Sequence, residues 1–190
     1  MSGKAAEPPA ATTRERVIDA AIGQFLRLPY DKATLRSIAR EAGVDVAYVH
    51  RLFGSKQALF GEVLSAVFRR EAPVWPPEAD ILESVLVSRW QNGGMLSVEG
   101  ADPIDLLIHS LGTPEAEAVI VEFIRSHMLD PLEASVGGDE AGAKAEKVFA
   151  FLLGARIMRR FIGLKSLEGR APQEVGEWVA RTVRAICEKG

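Results

Sequence analysis

The chain is poor in the groups that staple small domains or hold metals. It has one cysteine, Cys187, so neither an intrachain disulfide nor a cysteine metal site can form, and a reducing compartment is expected. Its three histidines, His50, His109 and His127, are dispersed. None belongs to a His-Glu-x-x-His or Glu-x-x-His spacing, which would place two ligands on one helix face. A phosphate-binding glycine loop and a Gly-x-Ser-x-Gly elbow are also missing, which removes the sequence support for phosphoryl or acyl transfer. No catalytic residue, metal or cofactor is expected, and the chain reads as a non-enzyme. Apolar runs are short. None approaches the roughly 18 residues of a membrane span, and the opening "MSGKAAEPPAATT" lacks the apolar centre of a secretory leader. A soluble, cytoplasmic protein with no membrane partner is expected. Two-residue alternation is nowhere sustained, so an all-α fold is expected.

What is present is ordinary in amount and uneven in distribution. Apolar residues make up 47% of the 190 and charged residues 26%, enough for a real core. The net charge is −3, but residues 1–70 carry 11 Lys and Arg against 7 Asp and Glu. That first third is therefore basic and the remainder acidic, which points to an anionic partner for the first third alone.

Residues 1–11 are small residues and prolines and read as a disordered tail. Thr12 or Thr13 caps a first helix ending before Pro29, with Val17, Ile18, Ala21, Ile22, Phe25 and Leu26 as its apolar stripe. Thr34 caps a second over Leu35–Ala42, which Gly43 ends by taking the left-handed conformation cheaply. Asp45 caps a third over Val46–Leu52, and Gly54 stops it. Ser55 caps a fourth from Lys56 to about Arg70. Helices of about eight residues need a shared core, here Phe25, Leu35, Ile38, Val44, Val49, Phe53, Leu59 and Phe60. The segment "APVWPP", residues 72–77, marks a domain boundary, dividing a 12–71 module from a 72–190 body. In the body, helices are expected over 78–91, 103–111, 114–134, 139–164 and 171–188, with a loop over 91–103. In the last helix Val175, Trp178, Val179, Thr182, Val183 and Ile186 form one apolar stripe. It can pack against Phe149, Leu152 and Leu153 within the monomer or against a partner's copy. Arg156, Arg159 and Arg160 can pair with Glu174 and Glu177 or stay solvated.

Two short helices joined at a glycine form a helix-turn-helix, whose second helix enters the major groove while the first crosses the backbone. The stretch "AAIGQFLRLPYDKATLRSIAREAGVDVAYVHRLFGSKQALFGEVL" carries more than that. Phe25, Tyr30, Thr34, Ile38, Ala39, Ala42, Gly43, Val44, Phe53, Ser55, Lys56 and Leu59 match a dense, gap-free pattern. By it, residues 12–65 resemble the N-terminal domain of TetR-family transcriptional regulators. The region after Pro73 more faintly resembles a C-terminal domain of that family, through "LLGARIMRRFIGL" and the helix after it.

The resemblance implies an all-α fold: a three-helix DNA-binding head on a larger ligand-binding and dimerisation body. It implies a repressor that binds a near-palindromic operator as a homodimer and leaves it when a small, largely apolar effector binds. Thr34 and Lys56 sit at helix N-termini suited to phosphates. Val46, Ala47 and Tyr48 open the reading helix, where base edges are reached. Arg36, Ser37, Asp45, His50 and Arg51 complete the candidate DNA contacts. The pattern's usual tyrosine, lysine, aromatic and serine are replaced by His50, Val46, Leu52 and Asp45. The reading helix is thus left with Arg51 as its one formal cation. Trp75, Trp90, Met95, His109, Phe123, His127 and Met128 are candidate effector-lining residues. Phe149, Leu152, Leu153, Arg156, Trp178, Val179, Thr182 and Ile186 are candidate dimer contacts. A helical protein-binding adaptor is the rival reading. Salt-sensitive, sequence-dependent DNA binding separates the two.

Overall fold

The computed structural model describes residues 12–69, 103–163 and 170–188. The readings placed on 1–11, on the 72–77 boundary, on helix 78–91 and on loop 91–103 lie outside the described residues. No strand occurs among the described residues, and the fold is all-α. No helix among them is long and apolar enough to cross a membrane.

Helix α1, Thr13–Arg27, begins at a capping box: Thr12 Oγ1 accepts from Glu15 N–H, and Glu15 accepts from Thr12 N–H in return. Two otherwise orphaned donors are thereby satisfied. Helix α2, Leu35–Ala42, has the same device, with Ser37 in the reciprocal place. It ends at Gly43, held at φ 68°, where a Cβ would be strained. Val44 N–H then returns to the Ala39 carbonyl at 2.9 Å and closes the turn. Helix α3, Val46–Phe53, starts when Asp45 Oδ1 accepts from Ala47 N–H at 2.7 Å and stops at Gly54. Helix α4, Lys56–Arg69, begins with Ser55 Oγ accepting from Ala58 N–H.

These helices close on one core. Phe25, Ile38, Val49, Leu59 and Phe60 have no exposed surface, and Phe53 is buried. Leu35 and Val44 are only half-buried, because each sits at a helix end open to solvent. Three rings lock α1 to α4. Phe25 stacks on Tyr30 at 5.6 Å, and Phe60 meets both edge-on, at 4.9 and 5.1 Å. Edge-to-face and offset contacts at these distances add to plain area burial.

The first described helices after α4 are α5, Pro103–Ser110, and α6, Pro114–Ile124. Tyr30 N–H donates to the His109 carbonyl at 3.1 Å, tying the head's turn to α5. Phe68 of α4 lies 4.7 Å from Phe123 of α6. A π-helical turn, Arg125–Leu129, follows α6 and runs into α7, Asp130–Val136. The helix expected over 114–134 is thus continuous but widened. Pro131 supplies the reason: it has no N–H to give, so the helical ladder must slip around it. Helix α8, Ala141–Ile157, ends in a second π turn, Met158–Ile162. Helix α9, Pro172–Glu188, packs on α8. Val148 and Leu152 from α8 and Val175, Val179 and Val183 from α9 are buried in the same core.

Candidate nucleic-acid interface

Solvent reaches the start of α3 from outside the core. Ala47, His50 and Arg51 are exposed, and Val46 and Tyr48 are half-buried. Arg51 lies over the Tyr48 ring, 5.4 Å from guanidinium to centroid. The two therefore form one unit, in which the ring steadies the cation. Asp45 is exposed, but its Oδ1 is committed to the Ala47 N–H. His50 Nδ1 lies 3.3 Å from the Gly54 carbonyl. A carbonyl only accepts, so Nδ1 carries the proton, and in the neutral ring Nε2 offers a lone pair outward. Only the imidazolium form of His50 can donate to a phosphate there.

Thr34 and Arg36 are exposed at the start of α2, while Ser37 is half-buried. Ser37 Oγ gives its proton inward to Gln24 Oε1 at 2.6 Å. Lys56 is half-buried. Its Nζ donates to the carbonyls of Tyr30, at 2.9 Å, and Ala33, at 3.1 Å, and sits 4.1 Å from the Tyr30 ring centroid. Burial pulls this ammonium below the ordinary lysine value, while Asp31 and Glu115 push back. Burial, with Glu115 adding to it, pushes the Tyr30 hydroxyl up to about 12. With two of its three protons spent, Lys56 has one left for a phosphate. Replacing Lys56 by methionine should therefore act first on stability, since leaving buried carbonyls without donors costs about 1–3 kcal/mol each. A thermal melt should fall, while the salt-dependence slope of DNA binding drops by no more than about 1 per half-site. A larger drop in slope with an unchanged melt would place the ammonium on DNA instead.

The sequence reading missed Gln24, Glu41 and Arg27. Gln24 is 6% exposed and bonds Ser37 and Glu41 together. Its signal was available: a polar residue on the Val17, Ala21, Phe25 stripe.

Of the candidate effector residues, Trp75, Trp90 and Met95 lie outside the described residues. Phe123 and His127 come together, rings parallel and 4.3 Å apart, in a groove of about 860 Å³ between α4 and α6. Ser55, Gly61, Glu62, Glu122 and Ser126 also line it. His127 Nδ1 is 2.8 Å from Ser126 Oγ. Met128 is 1% exposed and belongs to the core. His109 does not line the groove; its Nδ1 is buried without a hydrogen-bond partner.

The candidate dimer residues divide by exposure. Leu152, Arg156 and Val179 are buried within the monomer, so α8 and α9 first serve each other. Phe149, Leu153, Thr182 and Ile186 are half-buried, and Trp178 is exposed. Met158, Phe161 and Ile162 are exposed beside them. Glu174 lies 3.9 Å from Arg170, and Glu177 accepts from Gln173. Among the described residues no group of His, Cys, Asp and Glu could hold a metal ion.

A capped helix pair locked on a third helix, with Tyr48 in the first turn and Arg51 in the last turn of the second helix open to solvent, defines a helix-turn-helix DNA-binding domain joined to a helical body. Residues 17–63 match the family described as "Bacterial regulatory proteins, tetR family". Residues 85–187 match "Tetracyclin repressor-like, C-terminal domain". The chain belongs to the TetR family of DNA-binding transcription regulators, which are not enzymes.

Solved structures share the fold, and three of them illustrate it. A TetR-family regulator from Streptomyces coelicolor is 23% identical, with 97% of this chain and 99% of that one covered and a TM-score of 0.61. NalD from Pseudomonas aeruginosa, described as the secondary repressor of the MexAB-OprM multidrug efflux pump, is 20% identical over 91% and 95%, with a TM-score of 0.65. Reduced NemR from E. coli is 14% identical over 90% and 97%, with a TM-score of 0.67. A sequence comparison with curated proteins finds no match.

Proposed function

We propose that this regulator is a repressor that binds a near-palindromic operator as a homodimer and is released by a small, largely apolar effector. The observation that carries the DNA half is the solvent-facing surface of exposed Ala47 and Arg51 with half-buried Tyr48, held out by a fully buried core beneath it. NalD, a fold relative, is described as a repressor, which supports that sign of regulation. The exposed apolar side chains Met158, Phe161 and Ile162 of the π turn and Trp178 of α9 support a two-fold partner, since such patches mark association surfaces. The proposed head and body divide at 72–77, between the two matched family regions. The groove between α4 and α6 is the proposed effector seat. Its volume suits a drug-sized molecule. It touches α4, which packs on α1 of the head and on α6 of the body, so filling it bears on head position. A ligand acts only by its differential affinity for the two head arrangements.

The test is retardation and footprinting on the chain's own upstream intergenic DNA. Binding should be sequence-dependent and should weaken steeply with salt. A slope equivalent to only one or two ionic contacts per dimer, or equal affinity for unrelated DNA, overturns the reading.

A further inference from the structure

Helix α2 is fastened to α1 by a side chain that has no place in the DNA contacts described so far. Gln24 sits in the apolar stripe of α1, almost wholly buried. A buried amide is costly unless both its ends are satisfied. Its two ends reach two residues of α2 one helical turn apart. Nε2 lies 2.8 Å from Glu41 Oε2, and Oε1 lies 2.6 Å from Ser37 Oγ.

The order of the protons follows from what each group can do. The Glu41 carboxylate only accepts, so the amide must turn its N–H₂ toward it. Arg27 Nη2, at 2.9 Å from Oε1 of Glu41, holds the same carboxylate from the other side. The hydrogen bonds from Gln24, then from Arg27, keep the Glu41 carboxyl below the usual carboxylate value. The amide oxygen therefore faces Ser37. It too only accepts, and at 2.6 Å, against 2.9 Å for the Thr34 carbonyl, which already accepts from Ile38 N–H, it takes the single Ser37 proton inward. Ser37 Oγ then has only lone pairs for its other neighbours, and the N–H and hydroxyl of Thr34 approach it at 3.2 and 3.0 Å. Ser37 N–H is spent on Thr34 Oγ1, and Ile38 N–H on the Thr34 carbonyl. What remains toward solvent at the start of α2 is the N–H pair of Leu35 and Arg36, which no intrahelical bond serves, joined by the Thr34 hydroxyl once its proton turns from Ser37 Oγ to an arriving phosphate.

We propose that Gln24 is a positioning residue for operator binding. Its amide holds the Ser37 proton inward and pins α2 at two points, so that the Thr34 hydroxyl and the first-turn N–H groups are the donors offered to a DNA phosphate. Ser37, a candidate contact by sequence, then acts as an internal link and does not donate to DNA. The inference rests on the DNA-binding reading of α2 and α3.

The test uses the full-length protein and a labelled duplex of its own upstream DNA, with thermal melts run alongside. Gln24→Met should weaken binding by about 10-fold per half-site at a temperature where the protein is fully folded. Ser37→Ala should weaken it similarly. The double variant should be no worse than the poorer single, because both break one link. Gln24→Glu gives a readout that plain loss of packing would not. Two carboxylates this close share one proton, which raises an apparent pKa. Arg27 and Arg40 oppose that rise, and Arg16 and Asp19 line the crevice beside Glu41. Relative to wild type at each pH, Gln24→Glu should bind poorly near about pH 8 and recover near about pH 5.5, while Gln24→Met should show no recovery. Folded Gln24→Met binding like wild type, or Gln24→Glu following the wild-type pH profile, overturns the proposal. If Gln24→Met does not fold, the Gln24→Glu profile decides. Wild-type protein that fails to bind the duplex sinks the repressor reading instead, before any variant is compared.

Discussion

Tyr48→Ala will cut operator affinity by roughly thirty- to twenty-thousand-fold while leaving the fold intact. Tyr48 is half-buried at the first turn of α3 and takes no part in the hydrophobic core. Its ring carries the Arg51 guanidinium at 5.4 Å. Truncating it removes one hydroxyl that can meet a base edge and frees the one formal cation of the reading helix. A well-placed base contact is worth about 1–3 kcal/mol. In a two-fold dimer the loss occurs at both half-sites, so it doubles, which gives the range stated. Surface truncations away from the core usually move stability by no more than about 0.5 kcal/mol, so melts should superimpose. Anisotropy titrations on a full operator and on a single half-site will show whether the loss doubles. Tyr48→Phe, which keeps the stack and removes only the hydroxyl, should fall between the two. Wild-type affinity in Tyr48→Ala would move the reading surface away from α3 altogether.

What the sequence disclosed and what it hid differ by range. Helix ends are set by residues within one turn. Thr34, Gly43, Asp45, Gly54 and Ser55 therefore marked α2, α3 and the start of α4 to within a residue. The direction taken by Lys56 is not local. Its acceptors are the carbonyls of Ala33 and Tyr30, 23 and 26 residues earlier. No spacing rule in the chain reports that meeting. Periodicity likewise showed that Leu152 and Val179 face something apolar, but a stripe cannot say whose side chains cover it. Both turn out to be spent inside the monomer, leaving Trp178 and the π turn exposed beside them. The widened helix at Arg125–Leu129 was half legible. Pro131 is visible in the sequence, yet the slip it causes depends on the neighbouring turns holding together around it. In the groove, Phe123 and His127 were readable as a helical i, i+4 pair. Their partners on α4, from Ser55 to Ser65, appear only when α4 and α6 are packed.

Phe60→Ala should be the most damaging single change in the head, though Phe60 reaches neither DNA nor effector. The side chain has no exposed surface and closes the three-ring cluster with Phe25 and Tyr30. Truncation leaves a cavity that the flanking rings cannot fill without abandoning their own contacts, at a cost of about 3–5 kcal/mol. Domains of ordinary stability have about 5–15 kcal/mol in hand, so the variant folds weakly or not at all. For a chain of this length the melting temperature should fall by roughly 6–20 °C. The consequence for function comes through Tyr30. Its ring supports the Lys56 ammonium at 4.1 Å, its carbonyl accepts from that ammonium, and its N–H holds α5 through His109. Loosening the cluster therefore slackens α4 against α1 and the head against the body together. DNA binding should be lost in parallel with helical signal as temperature rises, with no window of folded, inactive protein. A Phe60→Ala chain that melts like wild type but fails to bind DNA would show that the rings act on the reading helix directly and not by holding up the scaffold.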